Sequence, residues 1–333
     1  MTGNVRIFCD PSGSNCLRLV KDKNVPPENI YVWENDESHF YAIRQISDKI
    51  NIIENYKVSD MHFKLTIGNP PFKGQLHLEF LKDSLETSDY VRLIHPSGWL
   101  TRSGKKIERD VKLALRNRLK KLTLFNGYPV FNAEFQGPLV ITEADPDYSG
   151  KIEVYYDNTG NTYYIDSLDS FPTGYWEPTD ENYELKDLIY GESQKSNILS
   201  LRTSDPNKIP LSLPVICGDP RSKDKATFVR KDFWIFFYPN SDMYNNKHAE
   251  NQWYSFNTES ERDSFVSYLK TKFARFALAL NKTGNRNNIL RYIENVPLPP
   301  LDQMWTEESV MEYYRLNKKQ RDNINNFIPD YYH

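Results

Sequence analysis

The stretch that decides the fold reads Phe63-Lys64-Leu65-Thr66-Ile67-Gly68-Asn69-Pro70-Pro71-Phe72. Its first half is apolar and β-branched enough to predict a buried strand. Pro70 and Pro71 lack the N–H group that would extend a ladder, and Pro70 disfavours helical geometry at Asn69. The sequence therefore predicts that Asn69 lies at the carboxyl end of a strand.

This position favours a catalytic loop. Ligands of open α/β sheets bind at the carboxyl ends of strands, and the Asn69 side chain and the Pro70 carbonyl offer two adjacent acceptors there. Two acceptors suit one aromatic amine, because its lone pair is left free to attack while Phe72 stacks on the ring. By itself the motif favours a plainer interpretation, a Pro-Pro turn that closes a core strand, so the surrounding sequence must decide.

The composition predicts a protein of about two domains with no metal site, since the chain has 333 residues and its six histidines never fall at metal-ligand spacing. The three cysteines form no Cys-x-x-Cys pair, which argues against a disulfide framework or a structural zinc site. No apolar run approaches the ~20 residues that span a bilayer, and no signal peptide is recognisable, so we expect a cytoplasmic protein without membrane contact. The net charge of −3 confines any nucleic-acid contact to local basic patches.

Residues 1–150 alternate between strand-like and helix-like segments, which predicts a parallel, Rossmann-like sheet. The first strand, residues 5–9, precedes the small-residue turn 10–15 and a helix. Such a turn brings backbone N–H groups to a ligand. Glu34 ends the second strand and is well placed for the two hydroxyls of a ribose, although a solvated loop acid explains it equally well.

A basic segment follows the catalytic loop. Residues 105–122 have apolar side chains at helical spacing and predict an amphipathic basic helix with Lys105, Lys106, Arg109 and Lys112 largely on its polar side. A solvated face is the plainer interpretation of these charges, and binding to the phosphate backbone of a nucleic acid is the functional alternative. Residues 130–135 and 139–142 predict the strand pair that closes the sheet.

The chain changes character near residue 150. Residues 151–257 contain short strand-like runs between Asn-, Asp-, Pro- and Gly-rich turns and predict a smaller, irregular domain. Residues 258–333 are predicted to be largely helical. Thr306 is a predicted N-cap with Glu307 and Glu308 in the first turn of its helix.

The order of these features resembles the DNA adenine methyltransferases of restriction-modification systems and phages. The resemblance lies in the Gly-containing first turn, the acid after the second strand and the Asn-Pro-Pro-Phe motif. Residues 60–68 are similar to the sequence that usually precedes this motif in the family. Residues 93–99 and parts of 261–308 also resemble the family. It implies an α/β fold with a Rossmann-like S-adenosylmethionine-dependent methyltransferase core (1–150), a smaller α+β target-recognition domain (151–257) and a helical C-terminal segment (258–333).

The resemblance also implies a reaction and its residues. A methyl group would pass from S-adenosylmethionine to the amino group of a flipped adenine in double-stranded DNA, without a metal. The implied base-binding residues are Asn69, Pro70, Pro71 and Phe72. The implied cofactor residues are Asp10, Ser12, Gly13, Ser14 and Asn15 in the first turn, Glu34 at the ribose, and Asp60 or alternatively Glu54 at the cofactor's adenine. Lys105, Lys106, Arg109 and Lys112 would contact DNA.

The first turn departs from the family's Asp-Pro-x-x-Gly-x-Gly pattern. Ser14 and Cys16 occupy the glycine positions unless one residue has been deleted, and a β-carbon there would crowd the cofactor. Few residues precede the first strand, so the C-terminal segment or a protein partner would have to complete the cofactor site. These departures support an alternative function, a catalytically impaired methyltransferase-like DNA-binding subunit or decoy. Methylation of RNA or of a protein glutamine shares the motif, but the long C-terminal region favours DNA.

Overall fold

A computed structural model of the chain describes residues 3–58, 60–101, 104–133, 135, 137–172, 174, 176–195, 198–203, 212–218, 234–237, 252–280, 296–328 and 330. The chain divides into two compact units, Met1–Phe171 and Pro172–His333. No helix in the described part is long and apolar enough to cross a membrane.

The first unit is built on one sheet with helices on its faces. Its strands are β1 (Val5–Phe8), β2 (Ile30–Trp33), β3 (Asn51–Ile53), β4 (Phe63–Gly68), β5 (Ser88–Pro96), β6 (Leu119–Phe125), β7 (Leu139–Ala144), β8 (Ile152–Tyr156) and β9 (Asn161–Ile165). Its helices are α1 (Ser14–Lys23), α2 (Phe40–Arg44), α3 (Leu76–Thr87), α4 (Lys106–Leu115) and α5 (Tyr128–Phe131).

The spatial order of the strands is β3-β2-β1-β4-β5-β7-β6-β8-β9. Strands β3, β2, β1, β4 and β5 are parallel to one another, whereas β7 runs against both of its neighbours, β5 and β6. The predicted parallel arrangement is therefore confirmed for the first five strands. The sheet grows from β1 toward β2 and β3 on one side and continues with β4 and β5 on the other. The point where the order reverses is where such sheets bind ligands.

The two faces of the sheet have different cores. On one face, Val5 and Ile7 of β1 lie in a buried cluster with Cys16 and Leu19 of α1 and Ile43 of α2. Val5 and Ile7 alternate along β1 with Arg6 and Phe8, which lie on the face covered by α3. This alternation follows from the two-residue period of a strand.

Arg6 is a fully buried cation on the α3 face, and its five N–H donors meet five acceptors. Its Nε atom donates to Thr66 Oγ1 of β4 at 3.1 Å. Its terminal nitrogens donate to Asp83 Oδ2 at 2.7 Å, Thr87 Oγ1 at 2.9 Å, the Tyr56 carbonyl oxygen at 3.1 Å and Ser84 Oγ at 3.3 Å. Burial lowers the pKa of Arg6, and the Asp83 charge opposes that shift. The network ties β1, β4 and α3 together.

The predicted helix over residues 105–122 is wrong in its second half. Helix α4 ends at Leu115, and Leu119 begins β6. Between them the Arg118 side chain donates to the carbonyl oxygens of Leu85 and Ser88, at 2.7 and 3.0 Å, at the end of α3. This tertiary contact returns the chain to the sheet although the helical spacing of apolar residues continues.

The predicted strand at residues 130–135 is also wrong. The segment between β6 and β7 contains the single helical turn α5, which ends where Asn132 adopts a left-handed φ of 48°. Pro129 in the first turn of α5 favours this helical start, because its φ is fixed near the helical value.

The first unit extends further along the chain than the predicted boundary at residue 150. Strand β8 pairs in parallel with β6 and buries Ile152, Val154 and Tyr156, and β9 pairs with β8. The target-recognition role predicted for residues 151–257 stays a prediction. Of that segment, residues 173, 175, 196–197, 204–211, 219–233 and 238–251 lie outside the described residues.

The second unit combines a small antiparallel sheet with helices. Its strands lie in the order β10 (Arg202–Thr203), β13 (Gln252–Ser255), β11 (Ser212–Gly218) and β12 (Trp234–Phe237). Its helices are α6 (Asp180–Lys195), α7 (Glu259–Lys270), α8 (Lys272–Ala279), α9 (Glu307–Tyr313) and α10 (Lys318–Phe327), so the helical C-terminal segment is confirmed. The Thr306 side chain accepts a hydrogen bond from the Ser309 N–H at 3.2 Å, as predicted for an N-cap.

Gly68 allows β4 to lie against β1. Its φ is 143°, and a β-carbon built there would lie 2.2 Å from the Phe8 carbonyl oxygen and 2.6 Å from the Phe8 nitrogen. A side chain at this position would therefore force the two backbones apart. Gly74 also has a positive φ, of 60°, but no atom lies within 4 Å of its position for a β-carbon.

We expect Gly68→Ala to lower the free energy of unfolding by about 3 kcal/mol or more, because it combines backbone strain with a steric clash. Gly74→Ala is the matched control and should cost about 1 kcal/mol, from the left-handed φ alone. Urea unfolding followed by circular dichroism measures both. Equal losses in the two variants would show that the contact with Phe8 does not matter.

Candidate active site

Asn69 lies at the point where the strand order reverses, directly after β4. Its backbone N–H donates to the Phe8 carbonyl oxygen at 3.0 Å, which holds the residue against the end of β1. The Oδ1 atom of its side chain is buried and has no hydrogen-bond partner. A buried acceptor without a partner costs about 1–3 kcal/mol, so it indicates a position suited to a donor from a ligand.

The two prolines fix the backbone after Asn69. Pro70 is buried and Pro71 is partly buried, and each has a restricted φ. Because neither carries an N–H group, the loop cannot continue the ladder of β4. The Asn69 side chain and the carbonyl of Pro70 are therefore held on a rigid loop before α3 begins at Leu76.

Phe72 belongs to an aromatic cluster that the sequence interpretation missed. Its ring lies 5.9 Å from that of Phe135 at an interplanar angle of 68°, and Phe135 lies 6.0 Å from Phe131 of α5. All three rings are partly exposed. The Gly127-Tyr128-Pro129 sequence was the available signal, because it breaks the strand predicted over 130–135 and turns these aromatic residues toward the catalytic loop.

Asp10 is buried after β1, and its carboxylate bonds to the protein itself. Oδ2 accepts from the Cys16 N–H at 2.9 Å, and Oδ1 accepts from the backbone and side-chain N–H groups of Asn15 at 3.1 and 3.3 Å. Asp10 therefore holds the start of α1, as a capping carboxylate does. Its contribution to ligand binding would be to fix the turn rather than to contact the ligand.

Gly13 is the residue of the first turn that requires glycine. Its φ is 66°, and a β-carbon there would lie 2.8 Å from Ile46 Cδ1 and 3.1 Å from the Ala42 carbonyl oxygen. A side chain at this position would therefore be strained and would clash with α2, and the deletion of one residue from the family's pattern stays a prediction. Ser12 and Ser14 are exposed, with their Oγ atoms 3.1 Å apart.

Glu34 follows β2 at the same edge of the sheet, and its side chain is 2% exposed. Oε1 accepts from the Asn35 N–H at 2.9 Å and lies 3.4 Å from His39 Nδ1, whereas Oε2 is buried without a partner. Burial and then the Glu34 charge raise the pKa of the neighbouring Cys9 to about 12. A carboxylate oxygen left open at this place fits the hydroxyl donors of a ribose.

The structure separates Asp60 from the other predicted cofactor residues. Asp60 precedes β4 by three residues and so lies toward the amino end of that strand, while Asn69 lies at the carboxyl end. Six strand residues span roughly 20 Å. Glu54 directly follows β3, at the edge that also carries Glu34, so Glu54 replaces Asp60 as the candidate for the cofactor's adenine.

Two buried histidines pack against each other, one on α3 and one on β5. His77 in the first turn of α3 and His95 near the end of β5 have ring centroids 5.9 Å apart. Trp99 Nε1 donates to His95 Nδ1 at 3.2 Å, so the proton is on Nε2, which donates to Thr142 Oγ1 at 2.8 Å. Burial lowers the pKa of His77 to about 4 and that of His95 to about 3. Both rings are therefore neutral near pH 7.

No group of three His, Cys, Asp or Glu side chains in the described part of the chain could hold a metal ion.

The predicted DNA-binding side chains on α4 fall into two pairs. Lys105 and Lys106 are exposed at the start of the helix, which follows the carboxyl end of β5. Lys112 donates to the Leu100 carbonyl oxygen at 3.0 Å, and Arg109 likewise donates to a backbone carbonyl at 3.0 Å. Lys105 and Lys106 are therefore the better placed pair for a phosphate backbone.

The strand order identifies the fold. Five parallel strands in the order β3-β2-β1-β4-β5, continued by an antiparallel β7 between β5 and β6, form an open, Rossmann-like α/β sheet. The predicted fold class is confirmed.

No family model and no curated protein matches the chain. Among solved structures, the methyltransferase subunit of a type I restriction-modification system from Streptococcus thermophilus is 12% identical, with a TM-score of 0.36 over 49% of this chain and 45% of that one. A modification subunit of a putative type I restriction enzyme from Vibrio vulnificus is 12% identical, with a TM-score of 0.35 over 46% and 42%. A putative RNA methyltransferase from Pyrococcus horikoshii is 16% identical, with a TM-score of 0.28 over 44% and 75%. The matches span less than half of the two restriction-modification subunits.

Proposed function

We propose that the chain is an S-adenosylmethionine-dependent DNA methyltransferase that methylates the exocyclic amino group of a flipped adenine. The observation that carries the proposal is the buried, unpartnered Oδ1 atom of Asn69 at the edge of a Rossmann-like α/β sheet where ligands bind. An amino group has two hydrogens to donate, and the Pro70 carbonyl is the second acceptor on the same rigid loop. The polar groups of the loop therefore match the group to be methylated.

The residues at the edge of β1, β2 and β3 fit the cofactor. S-adenosylmethionine, when bound, supplies an electrophilic methyl group on a positively charged sulfur. Glu34 would accept hydrogen bonds from the ribose hydroxyls through Oε2, which has no partner within the protein. Glu54 lies at the end of β3 for the adenine, and the backbone of residues 12–15 at the start of α1 would line the methionine part. Asp10 would keep that turn in place.

The catalytic loop would activate the amine by orientation. With its hydrogens bonded to Asn69 Oδ1 and to the Pro70 oxygen, the nitrogen keeps its lone pair available for the methyl group. Transfer would form the nitrogen–carbon bond as the methyl–sulfur bond of S-adenosylmethionine breaks with its electron pair left on sulfur, and the amine would then release one of its two hydrogens to solvent as a proton. Phe72 would stack on the base, and Phe135 and Phe131 would extend the aromatic wall of the pocket.

The substrate and setting follow from the rest of the chain. Lys105 and Lys106 would contact the phosphate backbone of double-stranded DNA at the edge of the sheet that carries Asn69. The middle of the chain, predicted as residues 151–257, would select the target sequence. We infer that the protein acts in the cytoplasm of a bacterium or of a phage-infected cell.

Transfer of labelled methyl groups from S-adenosylmethionine to mixed-sequence duplex DNA tests the proposal. Asn69→Ala should lower kcat by about 100-fold or more, because it removes one of two acceptors for the amine. Its affinity for DNA and for S-adenosylmethionine should stay within about twofold of the wild type. Asn117→Ala is the matched control, since Asn117 is an exposed amide between α4 and β6, at the opposite edge of the sheet.

Full activity of Asn69→Ala would refute the assigned role of Asn69. A wild-type protein that binds duplex DNA but neither binds S-adenosylmethionine nor incorporates methyl groups would be the impaired subunit or decoy. Methyl incorporation into RNA or protein but not DNA would support methyl transfer by this chain and would refute DNA as its substrate.

Replacing Lys105 and Lys106 together by alanine should weaken duplex binding and flatten its salt dependence. Each phosphate contact contributes about 0.9 to the slope of log K against log salt concentration, so the slope should fall by up to ~1.8. Lys21→Ala with Lys23→Ala is the control, because these exposed lysines lie in the last turn of α1, at the other edge of the sheet. Fluorescence anisotropy at several salt concentrations measures both. An unchanged slope would leave the start of α4 as a solvated surface.

A further inference from the structure

The short helix α5 presents an apolar tip near the candidate base pocket. Pro129 and Val130 are exposed, and the exposed fraction of Val130 is 63%. Strand β6, which leads into α5, has the same direction as β4, so α5 lies beyond the edge of the sheet that carries Asn69. Residues 126–133 contain no charged side chain.

A continuous series of ring contacts joins this tip to the catalytic loop. Phe131, the residue after Val130, lies 6.0 Å from the Phe135 ring, and Phe135 lies 5.9 Å from Phe72. The tip is therefore the outer end of the aromatic cluster whose inner end is the proposed stacking residue.

The backbone of the tip is rigid. The N–H groups of Val130 and Phe131 donate to the Gly127 carbonyl oxygen at 3.2 and 2.9 Å, and the Asn132 N–H donates to the Tyr128 carbonyl oxygen at 2.8 Å. A β-carbon at Gly127 would lie 2.6 Å from the Phe135 ring, so the turn is packed directly on the cluster. Pro129 fixes a further φ.

A single exposed apolar side chain is ordinary on a protein surface. Leu113 of α4 is an example, with an exposed fraction of 66%. Val130 differs because an exposed proline adjoins it, its backbone is fixed and it is connected through ring contacts to the base-binding loop. A rigid, uncharged apolar tip suits the stacked interior of a duplex better than the phosphate backbone.

We propose that Pro129 and Val130 form a wedge that enters duplex DNA beside the target adenine and fills the space left when that base is flipped out. The inference rests on the proposed function and adds the step that opens the duplex. Extrusion of a base loses pairing and stacking, and apolar side chains inserted between base pairs compensate for part of that loss. The wedge thereby favours the flipped state without contacting the reacting atoms.

The test uses the full-length protein and the site that the wild type methylates, mapped first by sequencing of methylated plasmid DNA. A duplex with 2-aminopurine at the target adenine reports flipping by a rise in fluorescence. Val130→Ser should reduce this rise and slow methylation of the normal duplex about tenfold, whereas Val130→Leu should retain both. Leu113→Ser is the control of equal exposure on α4 and should match the wild type.

A second duplex separates a wedge from a merely structural role. When an abasic position faces the target adenine, pairing is already lost, so Val130→Ser should recover to within about twofold of the wild-type rate. Equal slowing on both duplexes, or unchanged flipping and methylation in Val130→Ser, would overturn the wedge while leaving the proposed function intact. A wild-type protein that methylates no DNA would overturn both.

Discussion

The close approach of the Gly68 backbone to Phe8 is the constraint on which the site depends. Strands β1 and β4 are far apart in the sequence but are neighbours in the sheet. Because Gly68 has no side chain, the carboxyl ends of the two strands can lie against each other. The next N–H, that of Asn69, donates to the Phe8 carbonyl oxygen and places the amide of Asn69 at the point where the strand order reverses. The same contact therefore completes the central strand pair and positions the proposed catalytic residue.

The buried Arg6 in the interior of the sheet has hydrogen-bond partners within the protein, whereas two buried acceptors at the edge of the sheet have none. Arg6 is fully buried in β1, and all five of its donors are satisfied by the protein, which gives it a structural role. Asn69 Oδ1 and Glu34 Oε2, at the carboxyl ends of β4 and β2, are buried without partners. Acceptors left open at a binding edge are expected when ligands complete them.

The sequence predicted the features that depend on local chemistry. An apolar run stopped by Asn-Pro-Pro and the acid that follows the second strand were sufficient to place Asn69 and Glu34 at strand ends, and the small-residue turn after residues 5–9 was sufficient to place Gly13 before α1. Contacts between residues that are far apart in the sequence could not be predicted from local sequence patterns. Arg118 ends the helical segment by bonding to the end of α3, and Asp60 is close to Asn69 in sequence but lies toward the other end of β4. The Phe72 to Phe135 contact joins residues that no local pattern relates.

Binding of S-adenosylmethionine decides whether the chain has a cofactor site, because the first turn is where the chain departs from the family it resembles. Isothermal titration of the full-length protein should show one site per chain, and Glu34→Gln should weaken it about tenfold or more by removing the charged acceptor for the ribose. Glu37→Gln, at an exposed position three residues further on, should bind as the wild type does. Absence of binding to the wild-type protein, or equal affinity in Glu34→Gln, would contradict a cofactor site at this edge of the sheet.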